Sequence, residues 1–332
     1  MILRNKFILF SMIGALAMMP ITSEASNTLI SLAGAAKQAF DMNKQNNSSS
    51  AKLPSSQQST TDIKTPNLCQ QHYPLGAPMV VSIDKDKIER RSFYLCQDDY
   101  AVQFDPATKT PIWVAESLNG VEQSGERIER VDNFQPHPTV PYAAQATLND
   151  YKGSKFDRGH NAPAADMRTE QAMEQSFYLT NMFPQVGINM NRGIWADLEA
   201  IVRKWSVARG EVLVVTGPIF SPQHATIGRS QVWVPTELYK VIIDPKTLES
   251  VAFIMPNQQV ITRKTKTVDA GNPNYPQTTP AMAVNCGRTC ILDDFIVPLS
   301  TVEEKTGLNF FPKLLPQLKA KASQKGRMWQ AR

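Results

Sequence analysis

The chain has 332 residues, of which 42% are hydrophobic and 20% are charged. These fractions are typical of a globular protein and exclude a chain that is disordered throughout. The formal net charge of +5 is compatible with a polyanionic partner, but it does not identify one by itself.

The first 25 residues are typical of an export signal. Arg4 and Lys6 form a short positive region, and an apolar run then extends to Pro20. Ala25 is a small residue at a position that a signal peptidase recognises, so we expect a signal peptide over residues 1–25. The apolar run is short for a membrane span, and an uncleaved anchor is the alternative. We therefore expect a secreted or periplasmic protein with no membrane attachment after cleavage.

The composition divides the rest of the chain into three parts. Residues 26–66 are polar, and we expect a disordered linker because they offer too little apolar surface for burial. A globular domain is expected over residues 67–318. The basic tail over residues 319–332, like the whole run from Lys313, is expected to be solvated.

Four cysteines suggest disulfide bonds, because an even number is typical of exported chains. Of the three possible pairings we favour Cys69–Cys96 and Cys286–Cys290, since both close short local loops. A structural zinc ion is the competing interpretation. It is disfavoured because no Cys-x-x-Cys motif occurs, and no histidine or second cysteine pair lies near Cys290.

The globular part contains both predicted strands and predicted helices. The predicted strands cover residues 92–96, 100–104, 112–115, 177–182, 211–217, 239–243 and 250–255. The predicted helices cover residues 169–177, 193–209 and 293–311. Thr169 is a suitable N-cap for the first helix, and Gly210 is a suitable stop for the second. The prolines between Arg127 and Pro141 exclude a helix there.

An acid, a base, a glycine and a histidine occupy four consecutive positions, Asp157-Arg158-Gly159-His160. With an unperturbed pKa of ~6.5, a histidine accepts a proton at neutral pH and is suited to general base catalysis. Of the four histidines, only His160 lies beside both an acid and a turn glycine. We therefore predict that His160 is a base, although a histidine without such neighbours is more often a structural core residue.

A second group of functional side chains begins at Asn191. Its amide oxygen suits a hard cation such as Mg²⁺, which keeps several waters and needs few protein ligands. On a regular helix Glu199 is offset from Asn191 by about 80°, so both side chains are able to face one cleft. Arg203 follows at i+4, where it is able to pair with Glu199; an ordinary surface ion pair is the alternative. A base beside a magnesium site matches the needs of phosphodiester hydrolysis, in which water is deprotonated and phosphate charge is neutralised.

The two groups, together with the run Thr180–Gln185 between them, resemble the DNA/RNA non-specific endonuclease family. The resemblance extends over roughly residues 94–312. It implies an α+β fold, in which a central antiparallel β-sheet is flanked by helices. It also implies a ββα-metal finger that carries His160 and Asn191.

The resemblance assigns roles within the site. His160 would activate the attacking water, Asn191 would be the single direct protein ligand of Mg²⁺, and Glu199 would act through a metal-bound water. Mn²⁺ would substitute for Mg²⁺. Asp157 would steady the site, and capping of the local turn is its alternative role.

Arginines complete the expected site. Arg130 matches the arginine that stabilises the pentacovalent phosphorus, and Arg127 is the alternative because this loop varies in length within the family. Arg203 matches a second, supporting arginine. Arg158 is expected to brace the site. Asn181 is expected to hold the active-site loop, and a simple turn residue is its alternative role.

The expected activity is endonucleolytic hydrolysis of DNA and RNA to 5′-phosphate ends, with little sequence preference because the site addresses phosphate. DNA and RNA would bind through their phosphate backbone, and the resemblance also allows a homodimer and a protein inhibitor as partners. Two other interpretations are a metal-dependent phosphodiesterase that acts on another phosphoester and a non-catalytic nucleic-acid-binding protein. The presence of His160, Asn191 and Glu199 disfavours the second of these.

Overall fold

The computed structural model describes residues 69–82, 84–263, 284, 286 and 289–330. The predicted signal peptide over residues 1–25 and the predicted linker over residues 26–66 lie outside the described residues. In the described part of the chain, no helix has the length and apolar character needed to cross a membrane.

The strands are numbered here in chain order. They are β1 (Met79–Val80), β2 (Phe93–Cys96), β3 (Ala101–Asp105), β4 (Thr110–Asn119), β5 (Phe156–His160), β6 (Met182–Val186), β7 (Glu211–Ile219), β8 (Thr226–Ile227), β9 (Val232–Trp233), β10 (Glu237–Ile243), β11 (Ser250–Pro256), β12 (Ile296–Val297) and β13 (Leu308–Asn309). Within the described residues, seven strands form one antiparallel sheet in the order β12-β11-β10-β7-β4-β3-β2. The pairs β1–β13, β5–β6 and β8–β9 form separate small sheets. The central antiparallel sheet predicted from the sequence is therefore confirmed.

Helices flank this sheet. They are α1 (Lys85–Arg91), α2 (Gly120–Ser124), α3 (Leu148–Tyr151), α4 (Glu170–Ser176), α5 (Ala196–Arg209), α6 (Leu299–Thr306) and α7 (Pro316–Ala322). Short 3₁₀ turns cover Gln70–His72, Tyr142–Ala144, Ala164–Asp166, Leu179–Asn181 and Leu292–Phe295. As predicted, the Thr169 side chain caps α4 by accepting a hydrogen bond from the backbone of Ala172. Gly210 ends α5 with a φ of 85°.

Helix α5 packs against one face of the central sheet. Its residues Leu198, Val202 and Trp205 recur at helical spacing and are buried. They share one hydrophobic core with Val212 and Val214 of β7. This packing holds the first turn of α5 at a defined position on the sheet.

The connection between β4 and β7 carries the ββα unit. The two strands are paired neighbours, with Val114 opposite Thr216, although residues 120–210 separate them in the chain. Within this connection β5 and β6 form an antiparallel hairpin, with His160 opposite Met182, and α5 follows. The ββα unit is therefore an excursion from the centre of the large sheet.

Both expected disulfides are present. Cys69 is bonded to Cys96 and Cys286 to Cys290, with Cα–Cα distances of 5.7 and 5.5 Å. The first bond ties the segment before β1 to the end of β2, and the second closes a local loop before α6. Both sulfurs of the Cys286–Cys290 pair are used by this bond.

The strand predicted over residues 177–182 is wrong. The chain forms the 3₁₀ turn Leu179–Asn181, and β6 begins only at Met182. The turn is held by Asn181, whose side-chain amide donates to the carbonyl oxygens of Ala162 and Ser176, each at 2.9 Å. A polar side chain that binds backbone groups in this way favours a turn over a strand.

The single helix predicted over residues 293–311 is also wrong. The chain there passes through the turn Leu292–Phe295, β12, α6 and β13. Pro298 directly precedes α6, and a residue before a proline is disfavoured in a helix. The helical pattern is therefore confined to the residues after Pro298.

The C-terminal segment is not solvated as expected. The Trp329 side chain is 9% exposed and packs on Trp205, with a ring-centroid distance of 5.1 Å. The Trp205 indole N–H donates to the Trp329 carbonyl oxygen at 2.8 Å. The many basic residues around Trp329 led to the prediction of a solvated tail. Trp329 itself is apolar, and its side chain belongs to the hydrophobic core beneath α5.

Candidate active site

A cleft of about 450 Å³ brings the two sequence motifs together. It is lined by Arg130, Asp132, Phe134, Phe156, Asp157, Arg158, His160, Pro163, Ala164, Ala165, Asn191, Arg192, Ala196 and Glu199. Among the predicted site residues, Arg203 and Asn181 are not in this lining, and neither is the alternative arginine Arg127. A larger cleft of about 760 Å³ lies between the end of α5 and residues 321–330, and its described lining contains none of the predicted residues.

The hairpin of β5 and β6 supports the histidine. The Gly159 backbone lies so close to the Gln185 side chain that no Cβ atom fits there. A Cβ atom built at position 159 would lie 2.6 Å from the Gln185 Cβ atom. Beyond His160, the backbone and side-chain N–H groups of Asn161 donate to the Asn181 carbonyl at 3.0 and 2.8 Å. These two bonds fix the chain directly after His160 to the backbone of Asn181.

The His160 ring lies in an aromatic and cationic environment. Its centroid is 5.7 Å from that of Phe134 and 5.1 Å from that of Phe177. Burial, followed by the positive charges of Arg130 and Arg158, lowers the pKa of His160 to about 3. The Nε2 atom is buried and has no hydrogen-bond partner among the described residues. The imidazole is therefore neutral at pH 7, and Nδ1 is the nitrogen left for proton transfer.

Asn191 lies in the irregular segment Gly187–Trp195, which joins β6 to α5. Asn189 has a φ of 61°, and Gly193 also departs from helical geometry. The offset of about 80° between Asn191 and Glu199, which assumes a regular helix, therefore does not apply. The two side chains line the same cleft because of this bend in the backbone.

Asp157 orients the Asn191 amide. The Asn191 Nδ2 atom donates to Asp157 Oδ2 at 2.9 Å, and Arg192 Nε lies 3.2 Å from the same oxygen. Because the amide nitrogen is turned toward Asp157, the amide Oδ1 is the atom that Asn191 offers to a cation. This contact links the first motif directly to the second.

Glu199 lies half-buried in the first turn of α5. Burial raises the pKa of Glu199 to about 7, against the opposing charge of Lys240 and with the reinforcing charge of Asp166. The carboxyl group is therefore close to its titration point at neutral pH. A nearby cation would favour the ionised form.

Arg203 pairs with Asp166 rather than in the i+4 pair expected with Glu199. Its Nη1 atom lies 2.6 Å from Asp166 Oδ1, and the two side chains are only 14% and 3% exposed. Although burial alone lowers it, the Asp166 carboxylate holds the pKa of Arg203 above its ordinary value. This buried pair lies behind the cleft and braces α5 against the turn Ala164–Asp166.

Arg130 reaches the cleft from the long loop after α2. Its Nε atom donates to Asp132 at 2.6 Å, and its guanidinium carbon lies 5.1 Å from the Phe177 ring centroid. More than half of the Arg130 side chain is exposed. The described lining does not include Arg127, so the geometry favours Arg130 of the two candidates.

Sequence reasoning missed two charged residues behind the cleft. Lys240 on β10 is 1% exposed, and Glu116 on β4 is 2% exposed. Each interrupts an apolar run, Leu238–Ile243 in one case and Val114–Leu118 in the other. A charged residue inside an apolar run indicates a buried charge with a partner, because charged side chains are rarely buried without partners. This pattern could have identified both residues from the sequence.

Comparison with known proteins gives a consistent result. A family model described as DNA/RNA non-specific endonuclease matches residues 82–317, which include the whole lining of the cleft. Nuclease C1 of Cunninghamella echinulata var. echinulata is 36% identical, over 67% of this chain and 83% of its own length. The mitochondrial endonuclease G of Homo sapiens is 32% identical, over 66% of this chain and 69% of its own length.

A solved structure supports the fold. It is the crystal structure of the EndoG/EndoGI complex, which concerns the mechanism of EndoG inhibition. The match has a TM-score of 0.58 and 27% sequence identity, and it covers 77% of this chain and 96% of that chain.

The relatives contradict the expected location. Human endonuclease G is named as mitochondrial, and other similar nucleases carry the same description. The prediction of a secreted or periplasmic protein is therefore wrong. It rested on a charged and apolar N-terminal pattern, which does not by itself distinguish one cellular destination from another.

Proposed function

Because the chain belongs to the DNA/RNA non-specific endonuclease family, we propose that it hydrolyses DNA and RNA with the aid of Mg²⁺ and leaves 5′-phosphate ends. The observation that carries the proposal is the cleft in which His160, Asn191 and Glu199 meet. These groups come from β5 and from the segment that leads into α5. Their meeting therefore depends on the fold rather than on proximity in the sequence.

His160 is the general base in this proposal. Burial and the charges of Arg130 and Arg158 lower its pKa to about 3, so the imidazole is neutral at pH 7 and its nitrogen is not already protonated. The negative charge of a bound phosphate would raise this pKa toward the value that suits a general base. The rings of Phe134 and Phe177 fix its orientation from two sides. Nδ1 would take the proton from the attacking water.

Asn191 and Glu199 fit a magnesium ion. Asp157 turns the Asn191 amide so that its oxygen is presented as a ligand, and an amide oxygen is a donor that Mg²⁺ accepts. Asn191 would hold the ion directly and Glu199 through water, and Mn²⁺ would be held in the same way. When bound, the ion would neutralise charge on the phosphate oxygens. Asp157 would not touch the ion but would orient its ligand, and loss of such a group commonly weakens metal binding.

Arg130 is positioned to act on the phosphate. Its pair with Asp132 is exposed, and such pairs contribute little, so a phosphate is able to compete for the guanidinium. The arginine would stabilise the negative charge that develops on phosphoryl oxygens in the transition state. Arg203, held by Asp166, would support the site from behind.

The substrate would be held through its backbone phosphates. Arg130, Arg158 and Arg192 all line the cleft and supply positive charge. Phosphate contacts carry no sequence information, so little sequence preference is expected. A homodimer and a protein inhibitor stay proposals; the inhibitor is supported by the solved complex of EndoG with EndoGI.

The test is degradation of plasmid DNA and of RNA by the full chain, with Mg²⁺ and with EDTA. We expect cutting of both polymers only with Mg²⁺, and a loss of at least about 100-fold in His160→Ala and in Asn191→Ala. The matched control is His224→Ala, since His224 stacks on Trp233 outside the cleft lining. That variant should cut as the wild type does.

The other outcomes identify the alternatives. A wild-type protein that binds DNA but cuts neither polymer would be a nucleic-acid-binding protein. Cutting of a small phosphodiester alone would indicate the other class of phosphodiesterase. Full activity in His160→Ala would show that the base is assigned wrongly.

A further inference from the structure

Lys240 is a buried cation at the centre of the large sheet. It lies on β10 between the buried residues Tyr239 and Val241, and only 1% of it is exposed. Removing an ammonium group from water is costly unless the protein supplies partners. The partners of Lys240 therefore indicate what this residue is for.

The Lys240 ammonium contacts three separate parts of the fold. Its Nζ atom donates to Thr216 Oγ1 on the neighbouring strand β7 at 2.6 Å. It also donates to the backbone carbonyl of Asn161 at 3.4 Å, directly after His160. Finally, it lies 5.3 Å from the ring centroid of Trp195, the residue directly before α5, where a cation–π attraction is favourable.

These contacts join the two arms of the candidate active site. Asn161 directly follows β5, which carries Asp157 and His160, and Trp195 directly precedes the helix that carries Glu199. The sheet holds Lys240 itself in place, because Lys240 on β10 lies directly opposite Thr216 on β7. One side chain thus touches the sheet, the end of the catalytic strand and the start of the helix.

Acidic groups surround the same position. Lys240 and Glu116 lie on one face of the sheet, since their strand partners Thr216 and Val214 are two residues apart on β7. Burial and the charge of Asp166 raise the pKa of Glu116 well above its ordinary value, whereas Lys240 acts in the opposite direction. The positive charge of Lys240 therefore acts on the buried carboxyl group of Glu116 as well as on the backbone carbonyl that Lys240 binds.

We propose that Lys240 is a positioning residue of the active site, which holds the end of β5 and the start of α5 in register through Asn161 and Trp195. The proposal rests on the nuclease function proposed above. Lys240 itself would touch neither substrate nor metal. It would act by keeping His160 on one arm and Glu199 on the other at a fixed separation.

A purely structural lysine would behave differently. Its loss would lower the stability of the sheet, but the fraction of the protein that remained folded would cut at the normal rate. A positioning residue should affect kcat in the folded protein, because small displacements of reacting groups are costly in rate. It should leave KM nearly unchanged, because phosphate contacts at the cleft surface persist.

The experiment compares Lys240→Met, Lys240→Gln and Tyr239→Phe in the full chain. The methionine variant removes both the charge and the donor, and the glutamine variant keeps a donor on a shorter stem. Tyr239 is the matched control. It is buried on the opposite face of the same strand, and its hydroxyl donates to the Ile112 carbonyl at 3.1 Å, so its change removes a buried hydrogen bond away from the site.

For folded Lys240→Met we expect kcat to fall about 100-fold, with KM within about threefold of the wild-type value. Lys240→Gln should recover part of the rate, and Tyr239→Phe should keep the wild-type kcat even where its melting temperature is lower. A folded Lys240→Met with the wild-type kcat would overturn the proposal.

A second variant covers the case in which Lys240→Met does not fold. Thr216→Val removes the hydroxyl that accepts from Lys240 and preserves side-chain shape and net charge. We expect a smaller fall in kcat and faster hydrogen exchange in the peptides that contain Asn161 and Trp195. Unchanged kcat together with unchanged exchange would overturn the proposal. If the wild type cuts nothing, the nuclease function fails, but the exchange measurement still decides whether Lys240 holds the two arms.

Discussion

Burial lowers the pKa of three histidines in the described part of the chain. His72 and His137 have pKa values of about 4, and the pKa of His160 is about 3. A histidine in the unfolded chain titrates near ~6.5. Between the two values the unfolded chain therefore binds more protons than the folded chain, and acid shifts the equilibrium toward unfolding.

At the residue scale we predict that His137 contributes to acid sensitivity. The folded pKa of His137 is lowered to about 4, whereas the unfolded pKa is ~6.5. As the pH falls from about 6.5 to about 4, His137 therefore lowers the free energy of unfolding, and this loss is recovered as the pH rises again. Urea unfolding of the wild type and of His137→Gln, at about pH 7 and about pH 4.5, measures the effect. Normalised to pH 7, the variant should lose less stability on acidification.

The comparison with the variant is needed because buried acids act in the opposite direction. The pKa values of Glu116, Asp166 and Glu199 are raised, so these groups favour the folded state at low pH. An identical response to acid in wild type and His137→Gln would contradict the prediction.

Some site residues could be found from the sequence because their side chains do not fit the pattern of a core or of an ordinary surface. His160 and Asn191 each stand in a group of polar residues that no core or surface pattern requires, and both line the cleft. The sequence did not predict the pairing of Arg203 with Asp166, because these residues are far apart in the chain and meet only in the fold. The nearer Glu199 was the partner that helical spacing alone suggested.

At the scale of elements, the β5–β6 hairpin depends on a glycine. A Cβ atom at position 159 would lie 2.6 Å from the Gln185 Cβ atom, and Gln185 is fully buried. We predict that Gly159→Ala destabilises the protein by about 1–3 kcal/mol, because the hairpin would be overpacked. It should also lower kcat, since the displaced residue is adjacent to His160.

Urea unfolding and kcat on plasmid DNA measure both effects of Gly159→Ala. The double variant Gly159→Ala/Gln185→Gly removes the Gln185 Cβ atom that causes the clash, and it should recover part of the lost activity. A single variant as stable and as active as the wild type would refute the argument.

Regular elements were easier to predict than the bend that serves the site. Helix α5 and strands β7, β10 and β11 follow from hydrophobic periodicity and from Gly210 as a stop. The segment Gly187–Trp195 does not, because its geometry depends on a positive φ at Asn189 and on contacts with β5. Periodicity extended the helix to residue 193, whereas the structure begins it at Ala196.

At the scale of the whole molecule, the C-terminal segment completes the core beneath α5. Trp329 packs on Trp205, and the Arg209 guanidinium lies 3.8 Å from the Trp329 ring centroid. We predict that Trp329→Ala costs about 3–5 kcal/mol in the free energy of unfolding, as is usual for a large buried side chain. Urea unfolding measures it, with the exposed Gln330→Ala as the control.

The same variant separates stability from catalysis. Trp329 lies outside the lining of the cleft. Trp329→Ala should therefore keep the wild-type kcat at temperatures where it is folded. A loss of stability no larger than that of Gln330→Ala would mean that the C-terminal segment is dispensable.

The order of the sheet could not be predicted from the sequence. Hairpins such as β10–β11 follow from turn residues between neighbouring strands, whereas the pairing of β4 with β7 spans the whole connection 120–210. Pairings between distant segments leave no local signal in composition or spacing. The resemblance supplied the fold class, and only the structure supplied the order.

The excursion between β4 and β7 has a consequence for the time course of folding. Every residue of the candidate cleft lies within this one connection of about 90 residues, and closing so long a loop is entropically costly and slow. The β5–β6 hairpin is local and is able to form early, yet Lys240 reaches Asn161 only after β10 has joined β7. Cutting activity should therefore be among the last properties to return during refolding, so a half-folded chain poses little danger to nucleic acid.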